Sequence, residues 1–209
     1  MMRRRPDTSR SEAFAFLLEP DGTSDSSVLG GKGASLARLI GAGFPVPETA
    51  VVTTAAYRSF AASAPIRDVV ASVEASVCVT DEQIGLAFLE AGIDDDVARV
   101  IIDAATKVGA GREIAVRSSA TAEDLEDASF AGQYLSLLNV DSADPEAVLA
   151  AVKRVWASLW FVAPTAYRRA VASHDSSFEM AVVMMAMVPA DAAGVVFTAD
   201  PGGSPGARV

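Results

Sequence analysis

The stretch IAVRSSATAEDLEDASFAGQY, Ile114 to Tyr134, decides how the rest of the chain is read. It opens as a strand, Ile114-Ala115-Val116, that delivers Arg117 at its end, and hydroxyls follow at Ser118, Ser119 and Thr121. Next come an acidic run (Glu123, Asp124, Glu126, Asp127) and a small-residue hinge from Ala128 to Gly132. A guanidinium at a strand end offers a planar fork of donors, and a hydroxyl-rich loop adds hydroxyl and backbone N–H groups. Together they suit a phosphate. The same residues also suit a structural reading in which Arg117 pairs with its own acidic loop, because arginine–carboxylate pairs are common. Local chemistry leaves the two readings balanced.

Composition narrows the classes. The 209 residues, 51% of them hydrophobic, can build one large domain or two lobes. With 27 acids against 17 bases the net charge is −10, which argues against a general nucleic-acid surface. It leaves room for a small anionic ligand, which needs only two or three placed cations. The single histidine, His174, lies in a polar SHDSS run and reads as a surface loop, so a histidine metal site is excluded by count. The single cysteine, Cys78, stands between two valines and reads as a buried structural thiol. No apolar run approaches the roughly 18–20 residues of a membrane span. The N-terminal MMRRRPDTSR has the basic flank of a signal peptide, but the apolar run Ala13 to Leu18 is too short for its core. Residues 1–11 read as a disordered tail on a cytoplasmic protein.

In chain order, Ala13 to Leu18 predicts a first strand. A helix with Leu36, Leu39 and Ile40 on one face ends at Gly41 and Gly43. Before it, Gly30, Gly31 and Gly33 surround Lys32. This is a glycine turn at a helix N-terminus, where free N–H groups and the helix dipole favour an anion. Its spacing fits neither the Walker loop nor the dinucleotide turn, and alone it is more often a plain loop-to-helix junction. Phe44-Pro45-Val46-Pro47 is a stiff connector, followed by a strand over Thr49 to Thr53 and a helix over Thr54 to Ala62. Residues 65–109 read as mainly helical. Asp94 to Asp96 start the last of these helices, where their charge suits the dipole better than it suits a metal. Tyr134 to Val140 predicts a strand, and Asp144-Pro145-Glu146 starts a helix whose Trp156 and Trp160 read as core. Met180 to Val188 and Gly194 to Thr198 predict two strands joined as a hairpin.

Several blocks together resemble the N-terminal ATP-binding domain of the phosphoenolpyruvate synthase, pyruvate phosphate dikinase and rifampicin phosphotransferase family. They are LGGKGASL at 29–36, FPVPE at 44–48, TTAAY at 53–57, AVRSSATAEDLEDASFAGQ at 115–133, VWASLW at 155–160 and GVVFTADP at 194–201. The resemblance implies an α+β, ATP-grasp-like fold in which two lobes close over ATP. It assigns residues 1–26 to a tail and first strand, and 27–209 to an incomplete ATP-binding domain. Lys32 and Arg117 would contact ATP phosphates, and Gly132 and Ser136 would lie at the nucleotide. Met185 stands where the family usually has a glutamine near adenine. No catalytic residue and no metal ligand is assigned.

In complete family members ATP phosphorylates a histidine on a separate swivelling domain and leaves AMP. The acidic magnesium ligands lie on a second half of the domain that follows the Ala-Asp-Pro motif, whereas this chain ends at Val209. The expectation is therefore an ATP-binding part of a phosphotransferase that is not catalytic alone. Its expected partners are ATP, with Mg2+ held on the other half, and a complementary lobe or swivelling histidine domain on another chain. No nucleic acid or membrane partner is expected. The alternative is a stand-alone, non-catalytic module that binds a nucleotide or a protein.

Overall fold

The most apolar strand segment of the chain, MAVVMMA, is found in the interior of a sheet. The structure, a computed structural model, describes residues 13–121, 124–125, 128–129, 134–171 and 178–196. Its main sheet has five strands: β1 (Ala15–Leu17), β2 (Thr49–Val52), β3 (Glu113–Ala120), β6 (Ser136–Asp141) and β7 (Met180–Ala186). Their order is β1-β2-β7-β3-β6, and every neighbouring pair is antiparallel. Two short strands, β4 (Asp124–Leu125) and β5 (Ala128–Ser129), pair separately. The strand β7 needs no polar alternation because both its faces are covered. Met180, Val182 and Met184 enter one core, and Ala181 and Val183 enter another.

The larger core lies under six helices: α2 (Thr54–Ala61), α3 (Ala64–Glu74), α4 (Asp81–Glu90), α5 (Asp95–Gly109), α6 (Pro145–Ser158) and α7 (Val162–Val171). The helix α5 contributes Val97, Ile101, Ala105 and Val108 at helical spacing, with the Asp94 carboxylate accepting from the Asp96 N–H at 3.0 Å. The helix α6 starts as the sequence predicts. Asp144 caps the N–H groups of Glu146 and Ala147 at 2.9 and 3.2 Å, with Pro145 in the first turn. Trp156 and Trp160 are core residues whose indole N–H groups are satisfied. Trp156 donates to the Met180 carbonyl (3.1 Å) and Trp160 to the Tyr57 hydroxyl (2.9 Å). Fully burying a side chain of the Val, Leu, Ile, Phe or Met class contributes about 1.5–3 kcal/mol, so this face dominates the stability.

The smaller core lies on the opposite face. Among the described residues α1 (Ser26–Gly41) is the element that covers it, through Leu29, Ala34 and Ala37 packed on Val51, Ala181 and Val183. Arg117 on β3 is exposed beside it.

Several expectations need correction. The strand β3 does not stop at Arg117 but runs to Ala120, so Ser118 and Ser119 are buried strand residues and not loop hydroxyls. The helix α1 begins at Ser26, ten residues before Leu36, because Asp25 caps it by accepting from the Ser27 N–H. No hairpin joins Met180–Val188 to Gly194–Thr198 among the described residues. Instead β7 inserts between β2 and β3, and Gly194 to Val196 are irregular, with Thr198 outside the described set. Cys78 is exposed, not buried, because its apolar neighbours lie in the connection between α3 and α4. Taken as one run, Pro145–Arg169 has the length and mean hydropathy, 1.3, of a membrane span. It is two helices with 56% of its apolar window buried in the domain, which is the pattern of a core element. His174 and residues 1–12 lie outside the described residues.

Candidate functional site

Arg117 interrupts an otherwise buried strand. Ala115, Val116, Ser118 and Ser119 around it are all buried, while Arg117 itself is exposed. On β3 it shares a face with Ala115 and Ser119, the face toward α1, because alternate residues of a strand point the same way. Its cross-strand neighbours are Val183 on β7 and Ser136 on β6. Among the described residues, none accepts a hydrogen bond from its guanidinium. The side chains of the acidic run from Glu123 to Asp127 lie outside that set.

Lys32 reaches the same place from α1. The two cations line a cleft of about 250 Å³ together with Ser35, Leu36, Leu39 and Val183. The cleft is thus lined from α1 by Lys32, Ser35, Leu36 and Leu39 and from the sheet by Arg117 and its cross-strand neighbour Val183, so each wall carries one cation beside aliphatic side chains. The Ser35 hydroxyl accepts from Arg38 at 2.8 Å. Leu39 is 42% exposed although it lies on the apolar stripe of α1, so the stripe extends past the sheet into the cleft wall.

The glycine turn before Lys32 has a specific geometry. Gly30 has φ 68° and ψ 175°, which breaks α1 into a short first segment and a second segment that restarts at Gly31. That backbone region is open essentially to glycine alone. A Cβ on Gly30 would also lie 1.9 Å from the Ser119 carbonyl oxygen, so the turn rests directly on the β3 backbone. The Ser119 hydroxyl donates to the Leu29 carbonyl at 2.7 Å and accepts from the Gly33 N–H at 2.9 Å, both within the core.

Two of the remaining sequence candidates, Ser136 and Met185, lie on the strands flanking β3. Ser136 is directly opposite Arg117 in the register. Met185 is opposite Ala115 and Thr49, two residues beyond Val183 on the same face of β7, which is roughly 7 Å along the strand. Gly132 lies outside the described residues. Sequence reasoning missed Ser35, Leu36, Leu39 and Val183 as wall residues. The helical period that placed Leu36 and Leu39 on one face was the available signal. Nothing in the spacing could have linked Ser119 to Gly33, 86 residues away.

Comparison with known proteins adds to this geometry. Residues 26–207 match the family model described as the pyruvate phosphate dikinase AMP/ATP-binding domain. The chain is 40% identical over 201 residues to a rifampicin phosphotransferase of Streptomyces sviceus, covering 91% of this chain and 23% of that protein. It is 36% identical to a probable phosphoenolpyruvate synthase of Methanothermobacter thermautotrophicus, covering 90% and 29% respectively. It is also 40% identical to a prodigiosin synthesizing transferase of Serratia marcescens, covering 88% and 20%. The chain thus spans about a quarter of the length of these relatives.

Proposed function

The chain belongs to the pyruvate phosphate dikinase AMP/ATP-binding domain family, and from that premise we propose that the α1–β3 cleft grips the phosphates of ATP. The observation that carries this reading is that Lys32 and Arg117, far apart in sequence, line one cleft together with Ser35 and the aliphatic Leu36, Leu39 and Val183. The two cations neutralise phosphate charge and orient the chain of phosphates. In phosphoryl transfer this positioning and electrostatic work is most of what a protein supplies. Gly132 and Ser136 would lie at the nucleotide, and Leu36, Leu39, Val183 and Met185 would offer apolar surface to the base. The fold that does this is ATP-grasp-like.

In the whole protein the domain would feed a phosphotransferase. ATP phosphorylates a histidine on a separate swivelling domain, AMP leaves, and the histidine carries the phosphoryl group to an acceptor, all in the cytoplasm where ATP is available. The relatives' names, which include a phosphotransferase, a synthase and a transferase, support one nucleotide domain serving several acceptors. Among the described residues no group of three His, Cys, Asp or Glu side chains stands ready for a metal ion. Mg2+ accompanying ATP would be held by acidic ligands on the other half of the domain.

Calorimetry with ATP on the wild-type chain and on Arg117→Ala tests the proposal. A hydrogen bond to a charged group contributes about 1.5–3 kcal/mol, so the variant should lose at least about tenfold in affinity. Equal affinity in the two proteins would remove Arg117 from the site.

A further inference from the structure

The cleft contains two cations on different elements, and their usefulness depends on the distance between them. Lys32 is carried by the second segment of α1 and Arg117 by β3. These elements approach each other closely where the Gly30 turn lies against the backbone of Ser119. Gly30 is two residues before Lys32, and Ser119 is two residues after Arg117. Each cation therefore stands on a short arm of regular backbone that starts at the same contact.

Ser119 is what fastens that contact. A helix that restarts at Gly31 has Gly30 at its cap position, and a glycine offers no side-chain oxygen to the first N–H groups. The Ser119 hydroxyl supplies the missing cap from another element. It accepts from Gly33, the third residue of the restarted segment, where a cap side chain ordinarily bonds. With its own proton it satisfies the Leu29 carbonyl, which the break at Gly30 leaves at the end of the first segment. One hydroxyl thus bonds both sides of the break, and it is fully buried while doing so. Its neighbour Ser118 faces the other core and cannot reach the turn, as strand alternation requires.

We infer that Ser119 is the positioning residue that sets the separation of Lys32 and Arg117, and so tunes the cleft to a chain of linked phosphates. This inference rests on the reading of the cleft as a phosphate site. Two cations at a fixed separation bind a polyphosphate at two points with little ordering cost, whereas loosely held cations must be ordered at each binding event. Ser119 itself touches no ligand.

The test is a double-mutant cycle read by calorimetry, with ATP and inorganic tripolyphosphate as probes. Ser119→Ala should weaken both probes by about tenfold, the scale of one lost charge-assisted contact. The loss should be similar for the two, because the phosphates and not the base are affected. In an Arg117→Ala background, Ser119→Ala should cost less than about twofold, since a spacing has no meaning once one cation is gone. Ser119→Cys, which keeps the volume with a weaker hydrogen bonder, is the milder companion should the alanine variant fold poorly, and it should fall between wild type and alanine. Wild-type affinity in Ser119→Ala or Ser119→Cys, an unchanged tripolyphosphate affinity, or a full additive penalty in the Arg117→Ala background would each overturn the inference. If Arg117→Ala alone binds both probes as wild type does, the phosphate reading beneath it falls instead.

Discussion

Replacing Gly30 by alanine is the sharpest single test of how the cleft is built. The new Cβ would sit 1.9 Å from the Ser119 carbonyl oxygen and 2.5 Å from the Ser119 hydroxyl oxygen. Contacts below 3.0 Å are essentially never seen for a real Cβ, so the turn and β3 must separate by at least about 1 Å. The hydrogen bonds at that contact are 2.7 and 2.9 Å long, and a shift of this size breaks both. An alanine held at φ 68° and ψ 175° costs about 1–3 kcal/mol in backbone strain. A buried donor or acceptor left unsatisfied costs about 1–3 kcal/mol more for each group. With the Leu29 carbonyl and the Gly33 N–H both left unsatisfied, the expected destabilisation is about 3–9 kcal/mol, a large part of the roughly 5–15 kcal/mol that holds an ordinary domain together. In urea titration followed by far-UV circular dichroism, the midpoint should fall by about 2 M with the slope little changed. A midpoint within about 0.3 M of wild type would mean that Gly30 and Ser119 are not in backbone contact, and the spacing argument would lose its foundation.

Two further outcomes follow from the same geometry. Gly85 lies inside α4, and a Cβ there meets nothing within 4 Å, so Gly85→Ala should stabilise by roughly 0.5–1 kcal/mol through helix propensity. A loss of stability in the same urea titration would contradict the open space around it. Cys78 is exposed, so the native chain should release one equivalent of colour with a thiol-reactive disulfide reagent without denaturant. A reaction that waits for unfolding would return Cys78 to the interior.

The local grouping of cations explains how an acidic protein can offer a positively charged cleft. The chain carries a net charge of −10, yet the cleft gathers Lys32 and Arg117 and, among its described lining residues, no carboxylate. Positive charge is thus gathered at one place on a chain whose overall charge is negative.

Much of the architecture was legible because it is local. The stripe of α5, the Asp144-Pro145 start of α6, the apolar run of β7 and the core tryptophans are each decided by residues a few positions apart. Errors came where the same local pattern has two tertiary outcomes. Arg117 reads along the chain as the end of a strand, but it is an exposed position within β3, which continues to Ala120. The segment before Val188 looked like half of a hairpin, but its two apolar faces are what an interior strand needs. Cys78 looked buried from its valine neighbours, yet a connection between helices can leave an apolar triplet in water.

Most elements, the two cations and the family resemblance are legible along the chain, since periodicity, capping and motif order are properties of neighbouring residues. The tertiary structure brings Lys32 and Arg117 to one cleft, lined also by Ser35, Leu36, Leu39 and Val183. It alone decided that the hydroxyl next to Ser118 is a cap for a turn 86 residues away. The physical reason is that a strand's pairing and the helix laid across it fix which face each residue takes. The glycine that allows the close approach and the serine that bonds it lie on different elements, so no spacing along the chain records their meeting.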